Sequence, residues 1–287
     1  MKHYRVGELD ILVEPGPITL REDLLSEPFL CEEECSSQPF RIQVEEADLS
    51  FLREAPVDLY TGSYELRQWQ DRSFLLCHWE THRFAFGLYL DELYGDGVLH
   101  YLCSKELAGT VKLTAAHLLG LAGLHHRLLR RGAMVLHASL IHWQGQAIAF
   151  AAPSQVGKST QARLWQDHAG AEVLNGDRAL LFYKDGQWYA GGYIACGSSQ
   201  ICKNRILPLR GIVLLEQWQE NHAQIAKGKE RIHTLFTGAE TFHWSMEDTD
   251  LALDLAKRIA EQVPMIHLRC RPDRAAVETL QHFLEEQ

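Results

Sequence analysis

The run Ala151-Ala152-Pro153-Ser154-Gln155-Val156-Gly157-Lys158-Ser159-Thr160 follows directly on an apolar strand, Gln146 to Phe150, and constrains the fold more than any other stretch of the chain. A strand that enters a tight turn and leaves as a helix aims unpaired helical N–H groups at an anion, so the run reads as a phosphate-binding loop. In the pattern G-x-x-x-x-G-K-[ST], Lys158 would reach the β- and γ-phosphates and the Ser159 hydroxyl would bind Mg²⁺. Ser154, Gln155, Val156, Gly157 and Thr160 supply the rest of the loop that would face a nucleotide. Ala152 stands where the pattern has its first glycine, and its Cβ demands ordinary backbone angles there. The competing reading is a fortuitous loop.

Such a loop requires an alternation of strands and helices, and residues 134–287 provide it. Met134 to His142 and Gln146 to Phe150 are expected to form a hairpin around Trp143-Gln144-Gly145, and the loop then opens a helix reaching about His168. Glu172 to Leu174, Ala179 to Tyr183, Trp188 to Gly191, Gly211 to Glu216 and Met265 to Leu268 read as strands. Asp248 to Glu261 and Asp273 to Glu285 read as helices. Residues 1–108 are instead β-rich, with alternating Leu9, Ile11, Val13 and Phe40, Ile42, Val44, and further strands at Tyr64 to Trp69, Phe74 to Trp79, Arg83 to Tyr89 and Val98 to Cys103. A helix from Leu113 to Arg131, within a linking segment 109–133, joins the two parts. Its basic end, His125, His126, Arg127, Arg130 and Arg131, suits the helix dipole and reads as a solvated cationic terminus.

Three further places are able to carry chemistry. Asp177, in Asn175-Gly176-Asp177, follows a strand soon after the loop helix and would either hold Mg²⁺ or accept a hydroxyl proton; the same tripeptide is also a good turn. His137, in Leu136-His137-Ala138-Ser139, reads either as a hydrogen-bonded core histidine or as a group beside the phosphate site. Cys196-Gly197-Ser198-Ser199-Gln200 allows close backbone approach to a ligand or is a plain surface loop. Ser198, Ser199, Lys203 and Arg205 are the candidate substrate contacts, the two cations being suited to a phosphate or an acidic group.

Composition narrows the class. Hydrophobic residues make up 46% of the 287, enough for a substantial core. With 38 acidic and 28 basic side chains, the net charge of −10 disfavours nonspecific nucleic-acid and acidic-membrane partners. The chain has no apolar run long enough to span a bilayer and no signal-peptide core after Met1-Lys2-His3-Tyr4-Arg5, so a cytoplasmic location is expected. Seven scattered cysteines do not form a disulfide framework. Cys31 and Cys35 have the spacing of half a zinc site, without a second Cys/His pair.

The order Leu136-His137-Ala138-Ser139, then Gly157-Lys158-Ser159-Thr160, then Leu174-Asn175-Gly176-Asp177 resembles the catalytic domain of the HPr serine kinase/phosphorylase family, within the phosphoenolpyruvate-carboxykinase-like group. Val263-Pro264, His267-Leu268 and Arg271-Pro272-Asp273 before the last helix resemble the closing segment of those proteins. The resemblance implies an α/β P-loop kinase-like domain over 134–287, preceded by a smaller β-rich domain. It also implies that Lys158 contacts nucleotide phosphates, that Ser159 and Asp177 bind Mg²⁺, and that Asp177 and His137 are catalytic. ATP and Mg²⁺ are then the cofactors. The family commonly has two adjacent aspartates where this chain has Gly176-Asp177, which leaves Asp177 to serve more than one role. The signature loop that goes with HPr is missing, so HPr itself is not the expected substrate.

The leading expectation is therefore a kinase that transfers the γ-phosphoryl group of ATP to a hydroxyl, with a serine of a peptide or small protein as acceptor. The β-rich part would dock that substrate by strand addition or act as a structural cap. A nucleotide-binding regulator without transfer is the alternative that Ala152 and Gly176 support, and a small-molecule kinase is the third. Relatives of this type often associate, which makes a homo-oligomer an expectation.

Overall fold

Along Gln146–Ala151, Ala147, Ala149 and Ala151 turn to one face while Ile148 and Phe150 turn to the other, the alternation of a strand buried on both sides. The computed structural model describes residues 1–287 apart from 22, 62–63, 80–81, 243 and 287, so Gln287, the last residue of the expected catalytic domain, lies outside the described residues. The chain is mixed α/β and divides into two units, Met1–Arg127 and Leu128–Gln287. Among the described residues no helix is long and apolar enough to cross a membrane.

The first unit begins with β1 (Lys2–Val6), β2 (Leu9–Glu14), β3 (Thr19–Arg21), β4 (Phe40–Ala47) and β5 (Val57–Tyr60). It continues with β6 (Tyr64–Trp69), β7 (Arg72–Trp79), β8 (His82–Tyr89), α1 (Leu90–Tyr94), β9 (Val98–Ser104), β10 (Lys112–Thr114) and α2 (Ala115–Leu121). One sheet has the order β1-β2-β4-β9-β8-β7-β6-β5, in which β2, β4 and β9 are parallel neighbours; β3 and β10 pair separately. Phe40, Ile42 and Val44 are buried in alternation, as their spacing implies. Glu65 and Arg67 are also buried, as an ion pair of 2.6 Å, and Arg67 donates to the carbonyls of Leu52 (2.8 Å) and Ala55 (2.7 Å).

The expected helix Leu113 to Arg131 is two helices. Lys112–Thr114 is extended, and Thr114 caps α2 by accepting from the His117 N–H at 3.2 Å. Gly123, at φ +71, then takes the left-handed conformation that ends α2 before α3 (Leu124–Arg130) begins. The basic end is not solvated as a whole either. His126 is fully buried with its ring 4.8 Å from that of Tyr94, and Arg127 is buried over Phe40 at 4.6 Å. The division between the units falls within α3, inside the expected linking segment.

In the second unit come β11 (Ala133–Leu136), β12 (Ala138–Trp143), β13 (Gln146–Ala151), α4 (Lys158–Ala169), β14 (Glu172–Asn175), β15 (Ala179–Lys184) and β16 (Gln187–Gly192). They are followed by β17 (Ile206–Gln217), β18 (His222–Ile225), α5 (Glu230–Gly238), α6 (Met246–Gln262), β19 (Met265–Cys270) and α7 (Arg274–Glu285). The nine strands run β11-β15-β16-β17-β13-β12-β14, with β19 on β17 and β18 on β19. Parallel β13, β17 and β19 form the centre of one part, and the first residues of β17 join it to antiparallel β16 and β15.

Two cores result. Leu140, Ala149 and Ile212 on one face pack with Leu235, Leu255 and Ile259 of α5 and α6. Phe150, Val213 and Leu268 on the other pack with Trp165 of α4 and Leu280 of α7. The expected strand Met134 to His142 is split at His137, because β11 pairs with β15 while β12 pairs with β13. Only β12 and β13 make the hairpin, and Gln144 (φ +49) with Gly145 (φ +79) gives the left-handed pair that such a turn needs.

Candidate functional site

β13 ends at Ala151 and α4 starts at Lys158, so the six residues 152–157 form the turn. Gln155 (φ +67) and Gly157 (φ +118) reverse the chain, and no side chain caps the helix. Its first N–H groups therefore remain available to an anion. Lys158 is 7% exposed and curls back over the turn, its Nζ donating to the carbonyls of Ala152 (3.0 Å) and Pro153 (3.3 Å). Burial holds its pKa below the ordinary lysine value, and Asp177 acts in the opposite direction. Ala152 avoids the positive-φ region and packs its methyl among Phe150, Ala162 and Trp165. Ser154, Gln155, Ser159 and Thr160 are exposed, and the Val156 carbonyl accepts a hydrogen bond from Gln217 at 3.2 Å.

β14 carries the second part. Asn175 is completely buried; its Oδ1 accepts from the N–H groups of Asp177 (3.0 Å) and Arg178 (2.8 Å), while its Nδ2 donates to the carbonyls of Tyr193 (2.8 Å) and Ala195 (3.1 Å). That bonding shapes the turn and aims the next residues. The Gly176 carbonyl accepts from Ser139 Oγ at 2.7 Å and from Ser159 Oγ at 3.2 Å, which ties the turn to both β12 and the first turn of α4. Asp177 Oδ1 lies 3.0 Å from His137 Nε2, and its Oδ2 binds Arg178, whose Nε also binds Glu240. Burial, then the Lys158 charge, pushes the His137 pKa below its ordinary value, against the pull of Asp177. Neutral imidazole is the form this favours at neutral pH.

The loop after β16 is seated on this turn. A Cβ on Gly176 would stand 2.3 Å from both Cβ and Oγ of Ser199, and one on Gly197 (φ +55) would stand 2.7 Å from Asp177 Oδ2. Ser199 itself donates to the Cys196 carbonyl at 2.7 Å. The position at which the resembling family has its first aspartate thus has no room for a side chain while Ser199 is in place. Ser198 is exposed at the tip of the same loop.

The sequence-derived candidates converge unevenly. The structure brings together His137, Ser159, Lys158, Asp177 and Ser199. It directs Lys203 and Arg205 elsewhere, onto the two carboxylate oxygens of Glu172 at 2.6 and 2.9 Å. Glu172 begins the strand that Asn175 ends, about 10 Å away along it. Cys35 forms a group with His3 and Asp10, but Asp10 already holds Arg5, His3 and the Ser36 N–H at 2.8 Å each.

Arg178 and Glu240 escaped the sequence reading, and Ser139 and Asn175 entered it only as members of motifs, with no role of their own. Asn-Gly-Asp is a recognisable side-chain turn and carried a signal for Asn175. Glu240 had none, since 62 residues separate it from Arg178.

No protein-family model matches the chain, and no curated protein matches it. Among solved structures, the HPr(Ser) kinase/phosphatase from Coxiella burnetii is similar over 53% of this chain and 97% of its own, at 13% identity and a TM-score of 0.30. A likeness of that degree bears on neither family membership nor activity.

Proposed function

We propose that the second unit is an ATP- and Mg²⁺-dependent phosphotransferase that moves the γ-phosphoryl group to a hydroxyl, a serine of a peptide or small protein. One observation carries this reading: the uncapped start of α4 and the His137–Asp177 pair are tied to the same Gly176 carbonyl, through Ser159 on one side and Ser139 on the other. An anion-binding helix start and a carboxylate–imidazole pair are the two parts that phosphoryl transfer requires from a protein, one to position charge and one to take the acceptor's proton. The loop 154–160 would bind the phosphates, with Lys158 leaving the Ala152 and Pro153 carbonyls for the β/γ oxygens.

The donor set fits Mg²⁺, a hard ion that takes one or two protein oxygens and keeps water and phosphate for the rest. The Ser159 hydroxyl and the Asp177 carboxylate would hold it. Arg178 retains Glu240 as a partner if Asp177 turns to the ion. The metal supplies charge neutralisation at the transferring phosphate. His137, held on Asp177, is then the group that accepts the acceptor's hydroxyl proton as its oxygen bonds to the γ-phosphorus and ADP leaves.

A second reading, nucleotide binding without transfer, is favoured by the filled space beside Gly176. γ-Labelled ATP, Mg²⁺ and a panel of serine peptides distinguish the two. Label should reach a peptide with the wild type and be lost in Lys158→Ala and Asp177→Ala; tight ATP binding with label reaching no acceptor establishes the regulator instead.

A further inference from the structure

We propose that His3, Asp10, Cys31 and Cys35 bind a zinc ion, at a site that lies within the first unit and does not depend on the phosphate-loop reading. Cys31 and Cys35 have the spacing of half a zinc site, and the fold supplies the other half from the start of the chain. β1 and β2 are antiparallel, with Arg5 opposite Asp10 and His3 opposite Leu12, so His3, Arg5 and Asp10 share one face of the pair. Tyr4 and Val6 are buried on the other.

The segment that carries the cysteines is pinned to this face at both ends. The Cys31 N–H donates to the His3 carbonyl at 3.0 Å, and the Ser36 N–H, next to Cys35, donates to Asp10 Oδ2 at 2.8 Å. Between them Arg5 bonds the Glu33 carboxylate and the Glu34 carbonyl. As a result an imidazole nitrogen of His3, a carboxylate oxygen of Asp10 and the Cys35 thiol all lie within 4.8 Å of one another. Tetrahedral zinc, with bonds of about 2.0–2.3 Å, sets its ligand atoms roughly 3.3–3.8 Å apart, so closing on the ion takes a shift of about 1 Å.

Burial opposes the charge of Asp10, which is 3% exposed, but bonds from Arg5, Ser36 and His3 outweigh it and hold the carboxyl well below its usual range. His3 Nε2 and Asp10 Oδ1 are 2.8 Å apart; zinc would take the place of the proton between them, the imidazole proton moving to Nδ1 and Asp10 keeping Arg5 and Ser36. Cys31 and Cys35 are free, half-buried thiols, whereas the other five cysteines are buried. Burial, then the Asp10 charge, pushes the Cys35 pKa up, so the thiol keeps its proton at neutral pH, the wrong state for a nucleophile. A divalent ion displaces such protons: both thiols become thiolates and two protons leave. Two thiolates, an imidazole and a carboxylate are a donor set that suits zinc, and Arg5 offsets the net negative charge of the filled site.

Equilibrium dialysis of the full-length protein and competition with a chromophoric chelator give its zinc content and Kd, and Co²⁺ in place of zinc reports the ligands. The wild type should hold a single ion per chain, and its Co²⁺ form should show tetrahedral d–d bands and a thiolate charge-transfer band. Cys35→Ser and His3→Gln should each weaken zinc at least about tenfold, while Cys270→Ser leaves it within about twofold. Zinc should also slow the alkylation of Cys31 and Cys35 by iodoacetamide, read peptide by peptide in the wild type. A wild type that retains no zinc, Co²⁺ bound without the thiolate band, or both cysteines alkylated as fast with zinc as without it overturns the site. So does a zinc affinity unaltered in Cys35→Ser.

Discussion

His137 Nε2 and Asp177 Oδ1 lie 3.0 Å apart although 40 residues separate them in the chain. The histidine is fixed from behind as well, its backbone N–H donating to the Gly238 carbonyl at 2.7 Å. Its ring position is therefore set by β11, α5 and the turn after β14 together.

Acid should weaken the fold through this histidine. Burial and the Lys158 charge lower its pKa, so the unfolded chain binds its proton more readily than the folded one. Protonation then favours unfolding: stability rises as pH climbs through the window just below the ordinary histidine value of about 6.5 and is fully present above it. Urea midpoints at pH 5.5 and 7.5 should differ less in His137→Gln than in the wild type. An unchanged difference removes His137 as the group responsible.

Lys158→Ala removes an ammonium that would form charge-assisted bonds to phosphate. A loss of about 1.5–3 kcal/mol, roughly 10- to 150-fold in Kd for Mg·ATP, is expected by calorimetry. Unaltered nucleotide affinity in a folded variant contradicts the loop assignment.

Gly176→Ala places a methyl into Ser199. Overpacking of this sort costs about 1–3 kcal/mol, and Ser199→Gly in the same chain should restore most of it, since it deletes both atoms that collide. Thermal melts of the two single variants and the double variant measure the coupling. Additive losses are the result that rules out the contact.

Arg67→Ala should be among the most damaging changes in the first unit. It takes the guanidinium away from the fully buried Glu65 carboxylate, which keeps His78 at 3.0 Å, at a cost of about 3 kcal/mol. Arg67→Met and Glu65→Leu together should be much milder. The comparison is made by denaturant titration.

The period-2 and helical patterns announced most of the second unit: β13, α4, β15, α6 and α7 lie within two residues of their expected bounds. The strand His222–Ile225 and the helix Glu230–Gly238 did not show, because the strand is mostly solvent-facing and the helix buries only Leu235 completely. In the first unit, Thr19–Arg21 and Lys112–Thr114 are three residues each, too short for alternation to register. Of the candidate site, the nearness of Lys158, Ser159, His137 and Asp177 was legible because the motif and its strand spacing are local. Arg178–Glu240 and the Ser199 contact with Gly176 were not, because tertiary packing creates them. Lys203 and Arg205 carried the right charge for a ligand, but Glu172, some thirty residues earlier, takes both.

The lysine's resting partners set a threshold for whatever enters the loop. Lys158 already gives two of its three N–H donors to carbonyls, so an incoming anion gains the whole ammonium only by outcompeting them. A singly charged group offers little over a pair of amide oxygens, whereas adjacent phosphates present several charged oxygens at once. The loop discriminates by charge density before any part of a ligand's carbon skeleton is read.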